Sequence, residues 1–219
     1  MEQQKQAYLY AIAAVLLWST VASAFKVSLR YLDYLQLLFY ASFISLLVLF
    51  ILLLIQHKLR SLFHYSPQEY FHSALLGLLN PFLYYIVLFK AYSLLPAQEA
   101  QPLNYTWSIT LALLSIPLLR QRIRFTSILA LILSYFGVLV ISTHGNIGAL
   151  KFTNLYGVIL ALGSSVIWAL FWIYNIRDQR DAVIKLFLNF SFGFIFIFLA
   201  MLFSSRLRII PPPAGIAGA

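Results

Sequence analysis

Cysteine is absent from this 219-residue chain, and charged residues make up only 10% of it. Without cysteine, disulfides, thiolate nucleophiles and cysteine-ligated metal sites are excluded. Acids are the rarest charged group, with six Asp and Glu against 15 Lys and Arg. Apolar residues are abundant instead, since 62% of the chain is hydrophobic and the mean hydropathy is +0.88. That composition excludes an ordinary water-soluble domain.

Catalytic motifs are missing as well. His57, His64 and His72 lie close together in the sequence, but their spacing matches no HExxH motif or other close ligand pair. The sequence contains no GxSxG nucleophile elbow, no Walker A loop and no pair of acids within an apolar run. We therefore expect a protein that is not an enzyme and that uses no metal and no cofactor.

Long apolar runs divide the chain into about seven candidate membrane spans. A hydrocarbon core about 30 Å thick requires about 20 apolar residues in a helix. Because lipid offers the backbone no hydrogen-bond partner and no run alternates as barrel strands do, each span is predicted to be helical. The fold class is therefore an all-α polytopic membrane protein with the lipid bilayer as its main partner. The predicted spans are Tyr8 to Phe25, Leu35 to Ile55, Phe71 to Phe89, Ala100 to Leu119, Thr126 to Ser142, Leu155 to Ile176 and Ile184 to Ser204.

Two helix starts carry capping signals. Ser66-Pro67-Gln68-Glu69 has the pattern of a capping box with proline at the first helical position. Asn154 stands where it can cap the sixth span.

The basic residues predict the orientation of the chain. They are scattered between the apolar runs and form no stripe or block, so nucleic acid is not expected as a partner despite the formal charge of +9. Lys and Arg collect on the cytoplasmic side of polytopic proteins, and nine against six favours a cytoplasmic N-terminus. The N-terminal side carries Lys5, Lys58, Arg60, Arg120, Arg122, Arg124, Arg177, Arg180 and Lys185. The opposite side carries Lys26, Arg30, Lys90, Lys151, Arg206 and Arg208.

A polar stripe on the fourth span is the first candidate binding site. Its side chains recur at helical spacing, and Pro102 within the stripe removes a backbone donor. Amides both donate and accept hydrogen bonds, while Tyr105 and Trp107 can stack on a planar or apolar solute. Hydrogen bonding between helices explains the same stripe without a ligand. The stripe consists of Gln101, Asn104, Tyr105 and Ser108.

Aromatic residues on three other spans are further candidates. Trp18 and Trp168 can line a pathway as an equivalent pair, although tryptophan also anchors helices at membrane interfaces. Tyr84 follows Asn80-Pro81, which breaks a helix at a cavity or makes a kink filled by packing. The small residues Gly157, Ala161 and Ser165 indicate close helix packing.

Three ionisable side chains lie near the ends of apolar runs. Lys26 and Lys90 can pair with an anionic group on a substrate or extend to the interface. Glu99 is the one acid close to the polar stripe, so it is the candidate for proton coupling. Its place at a helix start also suits simple charge stabilisation of that helix.

An internal repeat is suggested by placing Trp18 over Trp168. This alignment sets Ala13-Ala14 over Gly163-Ser164 and ends both helices in a basic residue, at Lys26 and Arg177. The offset is five spans. A repeat with an odd number of spans ends on the opposite side of the membrane, so its second copy must be inverted. We expect a five-helix repeat at residues 1–150 and a partial second repeat at 151–219, with two helices and a proline-rich start of an eighth at residues 211–213.

Essentially the whole chain resembles the EamA-type, ten-helix branch of the drug/metabolite transporter superfamily, and two segments carry the resemblance. Leu16-Leu17-Trp18-Ser19 to Phe25-Lys26, followed by Arg30-Tyr31-Leu32, resembles its opening helix. Lys90-Ala91-Tyr92 through Pro96-Ala97-Gln98-Glu99-Ala100 to Asn104-Tyr105-Thr106-Trp107 resembles its third and fourth helices. The Asn-Tyr-x-Trp part is similar to relatives of bacterial aromatic amino acid exporters.

The resemblance implies two inverted repeats around a central cavity in the inner or plasma membrane. It further implies a secondary active transporter, or permease, that moves a small metabolite such as an amino acid by alternating access. The chain departs from the family pattern because the last three of ten helices are missing. A truncated product, a fragment without transport, and a homo-oligomer or second chain that supplies those helices all stay open.

Overall fold

The computed structural model describes residues 2–121, 124–143, 145 and 152–204. These residues form helices joined by short loops, with no strand among them. A short 3₁₀ helix covers Leu59–Phe63, and a π-helical segment, Leu78–Leu83, joins α3 to α4. The α-helices are α1 (Glu2–Ser28), α2 (Tyr34–Ile55), α3 (Pro67–Gly77), α4 (Tyr84–Leu94), α5 (Ala97–Tyr105), α6 (Trp107–Leu119), α7 (Phe125–Ser142), α8 (Leu155–Arg177) and α9 (Ala182–Phe203).

Several sequence predictions fall outside the described residues. They concern the basic residues Arg122, Lys151, Arg206 and Arg208, the boundary between the repeats at residues 150 and 151, and the proline-rich segment at 211–213.

Seven membrane spans are confirmed among the described residues, and with them the all-α polytopic fold. α1, α2, α7, α8 and α9 each form one span. The third span, Pro67–Leu94, combines α3, the π-helical segment and α4, and the fourth, Ala97–Leu119, combines α5 and α6. Consecutive spans run in opposite directions, so the loops alternate between the N-terminal side and the opposite side of the membrane.

Both predicted caps are present. The Ser66 side chain accepts from the Glu69 backbone N–H, while the Glu69 carboxylate accepts from the Ser66 N–H at 2.7 Å. Asn154 Oδ1 accepts from the Gly157 N–H at 2.9 Å. Asp33 and Asp181 cap α2 and α9 in the same way, each accepting from two backbone N–H groups at the helix start. These side chains satisfy backbone donors that the helices themselves leave unpaired.

Two helices organise the packing. α8 lies against α4, α5 and α6, and its small-residue edge makes this approach possible. A Cβ at Gly157 would stand 2.7 Å from Leu95 Cγ, and Ala161 is fully buried. α9 lies against α2, α3 and the π-helical segment. α1 is peripheral, because no residue of its most apolar stretch is buried.

The break at Asn80-Pro81 is filled by packing against α9. Asn80 leaves helical geometry with φ −147° and ψ 119°. Pro81 is buried directly opposite Gly193, where a Cβ would stand 2.4 Å from Pro81 Cδ. At Gly77 a Cβ would stand 2.4 Å from the backbone oxygen of Asn189. Two glycines therefore let the broken third span and the seventh span cross with their backbones in contact.

Candidate functional site

A cavity lies between α1, α4, the junction of α5 with α6, and α8. Its volume is about 130 Å³. The lining is mostly aromatic, with two side-chain amides among the rings. The lining residues are Trp18, Val21, Phe25, Tyr84, Tyr85, Leu88, Tyr92, Gln101, Asn104, Tyr105, Trp107 and Trp168.

Seven of the eight residues proposed from the sequence as substrate-binding line this one cavity. Ser108 does not. The helix that was expected to be continuous is interrupted at Thr106, where α5 ends and α6 begins. Ser108 therefore leaves the stripe that Gln101 and Asn104 share, is exposed, and donates its hydroxyl to the Tyr105 carbonyl at 3.1 Å.

Asn104 joins three helices at the buried wall of the cavity. Its Oδ1 accepts from the Tyr84 hydroxyl at 3.3 Å, and its Nδ2 donates to Ser164 Oγ at 3.0 Å. Ser164 in turn donates to the Ala161 carbonyl at 2.6 Å. Asn104 and Tyr84 are each only 6% exposed, and Ser164 is fully buried. The amide is therefore held in one orientation by α4 and α8, which is the interhelical hydrogen bonding that the sequence left as the alternative.

Aromatic rings form a second wall around Trp168. The Trp168 ring lies over Tyr84 with centroids 4.4 Å apart and the planes inclined by 31°. Trp107 meets Trp168 edge to face at 6.4 Å. Trp18 and Tyr105 stand at the open part of the cavity, with 50% and 41% of their surfaces exposed. The two tryptophans that the sequence placed as an equivalent pair thus lie at the same cavity.

Gln101 is held at only one end of its amide. Its Oε1 accepts a hydrogen bond from the Tyr92 hydroxyl. Among the described residues no acceptor pairs with its Nε2 group, although Gln101 lines the cavity and is half-buried. The indole N–H groups of Trp18, Trp107 and Trp168 likewise have no hydrogen-bond acceptor among the described residues. The described lining therefore presents several hydrogen-bond donors to its interior.

The three ionisable candidates lie outside the lining. Lys26 Nζ donates to the carbonyls of Tyr92 at 2.8 Å and Leu95 at 2.9 Å, at the end of α4. Lys90 Nζ lies 5.2 Å from the centre of the Tyr34 ring. Glu99 is fully buried in the first turn of α5 and accepts from the Thr153 hydroxyl and backbone N–H. In this arrangement the lysines stabilise a helix end and an aromatic ring, and Glu99 ties α5 to the residues before α8.

Five lining residues were not among the sequence candidates. They are Val21, Phe25, Tyr85, Leu88 and Tyr92. Val21 and Phe25 lie about one and two turns beyond Trp18, and Leu88 and Tyr92 lie at i+4 and i+8 from Tyr84. Helical periodicity from the two aromatic candidates would have found these four, because residues spaced by three or four share a helix face.

The cavity lies toward the membrane face opposite the N-terminus. Tyr92 is two residues before the end of its span and Gln101 four residues after the start of the next, both at that face. Trp168 lies near the middle of α8 and forms the deepest described part of the lining. On the N-terminal side, loops from the two expected repeats meet in a charged cluster. This cluster consists of Lys58, Tyr65, Ser73, Asp178, Arg180 and Asp181.

Arg180 is the centre of the charged cluster. Its guanidinium binds both carboxylate oxygens of Asp178, with the shortest contact at 2.6 Å, and donates to Ser73 Oγ at 2.8 Å. The same group lies 5.3 Å from the centre of the Tyr65 ring. The Arg180 and Asp178 side chains are only 7% and 4% exposed. The loop between α8 and α9 is thus pinned to α3 and to the loop before it.

The charges in this cluster perturb one another. Burial alone would raise the pKa of Asp178, but hydrogen bonds from Arg180 outweigh it and hold that pKa below its ordinary value. The hydrogen bond from Lys58, 2.6 Å away, lowers the pKa of Asp181. Hydrogen bonding to Asp178 raises the pKa of Arg180. All three groups are therefore charged at neutral pH.

Within the described ranges, no group of three or more His, Asp or Glu side chains is placed to hold a metal ion.

An aromatic cavity with two amides thus lies among the seven spanning helices. The family model for EamA-like transporters matches residues 5–143, and the chain belongs to that family. It is an integral membrane protein of a family of small-molecule transporters, which are not enzymes. Neither the curated proteins nor the solved structures contain a match to it.

Proposed function

We propose that this chain is a secondary active transporter that moves a small metabolite across the membrane by alternating access. The observation that carries the proposal is the cavity, because side chains from four spans converge there on one space between α4 and α8. Polar groups within a bilayer are costly unless they are paired or line a route for solute. Gln101 Nε2, unpaired among the described residues, fits the second case.

Closure of one side supports alternating access. The cavity lies toward the face opposite the N-terminus, whereas the charged cluster joins two loops on the N-terminal side. The Lys58 to Asp181 ion pair and the Arg180 to Ser73 hydrogen bond both connect segments more than 100 residues apart. We propose that this cluster is a gate that is closed in the state described. Opening it would expose the cavity to the N-terminal side.

An inverted repeat at residues 1–150 and 151–219 is part of the proposal, and two features support it. Asp33 and Asp181 cap the helices that follow the first and sixth spans. Lys26 and Arg177, near the ends of those two spans, each donate to carbonyls at the end of a neighbouring span. The acceptor for Arg177 is Leu118 at 2.6 Å. The two contacts lie on opposite membrane faces, Lys26 at the third span and Arg177 at the fourth.

We further propose an inner or plasma membrane location with a cytoplasmic N-terminus. The excess of Lys and Arg on the N-terminal side supports this orientation. Amino acids are the substrate class suggested by the stretch from Asn104 to Trp107, and they are the first set for a flux assay.

The test of access uses the absence of cysteine, because a single introduced cysteine is then the only thiol. Val21→Cys places a thiol in the cavity lining, and Ile132→Cys, 62% exposed on α7, places one outside it as the control. In inside-out and right-side-out vesicles, a membrane-impermeant maleimide should label Val21→Cys from the face opposite the N-terminus. Adding Arg180→Met should permit labelling from the N-terminal side. Equal labelling of both cysteines from both faces would contradict the proposal.

Flux is measured in proteoliposomes with radiolabelled amino acids and with a radiolabelled neutral aromatic amide, so that the substrate class is an outcome of the assay. Saturable uptake should fall when Asn104 or Tyr105 is replaced by Ala, because each removes a group from the cavity lining. Gln68→Ala, an exposed position outside the cavity, is the control and should leave uptake unchanged. Uptake unaffected by both cavity variants would remove the site assignment.

We propose that the chain associates in the membrane with a second copy of itself or with another chain. The peripheral position of α1, whose most apolar stretch has no buried residue, supports a helix of a partner chain packing against α1. Cysteine crosslinking at Leu17, which is 69% exposed, should give a dimer or a hetero-complex in membranes. A monomer alone would argue against the partner.

A further inference from the structure

The described lining of the cavity carries no formal charge. Its polar groups are two side-chain amides, the phenol hydroxyls of four tyrosines, and the indole N–H groups of three tryptophans. The nearest charged side chains are engaged elsewhere. Lys26 donates to carbonyls at the end of α4, and Glu99 accepts from Thr153.

An uncharged lining discriminates against charged solutes. A carboxylate or an ammonium that leaves water loses its hydration, and only an opposite charge or several hydrogen bonds can replace it. An amino acid would bring both of these charges into the cavity. A neutral solute loses much less hydration free energy on entering the cavity. Neutral solutes are therefore the class that this lining binds with the smallest desolvation penalty.

The polar groups indicate what a neutral solute must carry. Asn104 is occupied at both ends of its amide by Tyr84 and Ser164. Gln101 has its Oε1 occupied by Tyr92, so the group that it offers to the cavity is its Nε2 donor. Because the indole groups are donors too, the solute needs hydrogen-bond acceptors.

The rings indicate the shape of the solute. Tyr84 and Trp168 pack on each other with their planes inclined by 31°, and Trp107 stands at 80° to Trp168. A planar ring can lie against such an aromatic wall in an offset stack or edge to face. A cavity of about 130 Å³ limits the solute to a small ring.

We infer that the cavity binds an uncharged, planar ring bearing a carbonyl or ring-nitrogen acceptor, and that Gln101 is the residue that selects for that acceptor. The inference rests on the proposed transport function and names the substrate class of the same site. It takes the place of the amino-acid expectation.

The test compares five small probes that differ in charge, planarity and hydrogen-bond acceptor; benzylammonium also lacks the carbonyl. Benzamide is planar, uncharged and carries a carbonyl. Benzoate adds a negative charge, benzylammonium a positive charge, and cyclohexanecarboxamide keeps the amide but loses planarity. Phenylalanine carries both charges. Binding to the purified chain in detergent is measured by the rise in thermal midpoint with probe concentration.

Benzamide should bind at least tenfold more tightly than each of the other four. In Gln101→Leu its affinity should fall about three- to tenfold, which is the value of one hydrogen bond. Gln68→Leu makes the same chemical change at an exposed position outside the cavity and should bind benzamide like the unaltered chain. Far-UV circular dichroism checks that both variants are folded.

Several outcomes overturn the inference. The first is that benzoate, benzylammonium, cyclohexanecarboxamide or phenylalanine binds as tightly as benzamide or more tightly. The second is an unchanged benzamide affinity in Gln101→Leu, and the third is that no probe raises the thermal midpoint. The proposed function fails separately, because sided labelling of Val21→Cys needs no ligand. Sided labelling with tight phenylalanine binding would keep the transporter and reject the neutral substrate.

Discussion

The crossing of the third and seventh spans provides a sharp test of the fold. Replacing Gly77 by Ala places a Cβ 2.4 Å from the Asn189 backbone oxygen and 2.8 Å from the Gly193 backbone nitrogen. Ordinary contact begins at 3.4 Å, so the two helices must separate by about 1 Å. Both obstructing atoms belong to the backbone, and no side-chain rotation can relieve them.

The magnitude follows from two opposing effects. Overpacking of this kind costs about 1–3 kcal/mol, while alanine is favoured over glycine in a helix by about 1 kcal/mol. The net destabilisation relative to the unaltered chain is therefore at most about 2 kcal/mol. Relative to Gly163→Ala, which gains the same helix propensity without the clash, it is about 1–3 kcal/mol, which lowers the melting temperature of a chain of this size by about 2–12 °C. Gly163→Ala on α8 is the control, because a Cβ there has nothing within 4 Å.

The assay is thermal unfolding in detergent, followed by far-UV circular dichroism. Gly163→Ala should melt at the same temperature as the unaltered chain or slightly above it. A Gly77→Ala protein that is as stable as Gly163→Ala would refute the close crossing, and with it the packing that closes the break at Asn80 and Pro81.

Three further predictions concern the charged cluster and the cavity wall. Arg180→Met should lower the free energy of unfolding by about 3 kcal/mol, because it removes the main side-chain partner of the buried Asp178. Lys58→Met should lower it by less than about 1 kcal/mol, because the pair with Asp181 is about one-third exposed, and the melting temperatures of the two variants compare these losses. The pKa values of Asp178 and Asp181 are lowered in the folded state, so their stabilisation is present above about pH 3.9 and is lost as the pH falls through their folded pKa values. The melting temperature should therefore change little on their account from pH 5 to 8 and fall in stronger acid, and the fall should be smaller in Asp181→Asn. Asn104→Leu should cost about 1–3 kcal/mol in thermal unfolding because buried hydroxyls lose their partner, and a neutral result would contradict the hydrogen-bond network.

Span positions were predictable because they depend on local properties. The length of an apolar run and the thickness of a bilayer determine where a helix crosses, without reference to any other helix. The cap at Asn154 was equally predictable, since a cap involves residues three apart. The shared face of Gln101 and Asn104 followed from helical periodicity for the same reason.

Ser108 shows the limit of that reasoning. Periodicity placed it with Gln101 and Asn104, but the helix is interrupted at Thr106 and the stripe ends there. The sequence shows a proline at position 102, but it does not indicate that the helix is interrupted at Thr106. The π-helical segment before Tyr84 could not be located either, because its shape depends on contact with α9.

The contacts of the charged residues were decided by tertiary structure alone. From the sequence Lys26 could bind a substrate or extend to the interface, and only the packing of α1 against α4 brings it to the Tyr92 carbonyl. Arg180 meets Ser73 across 107 residues of chain. Apolar length and helical period are local quantities that the amino-acid order contains directly. The partner of a polar side chain depends on which helices come together, and that is settled only when the whole bundle packs.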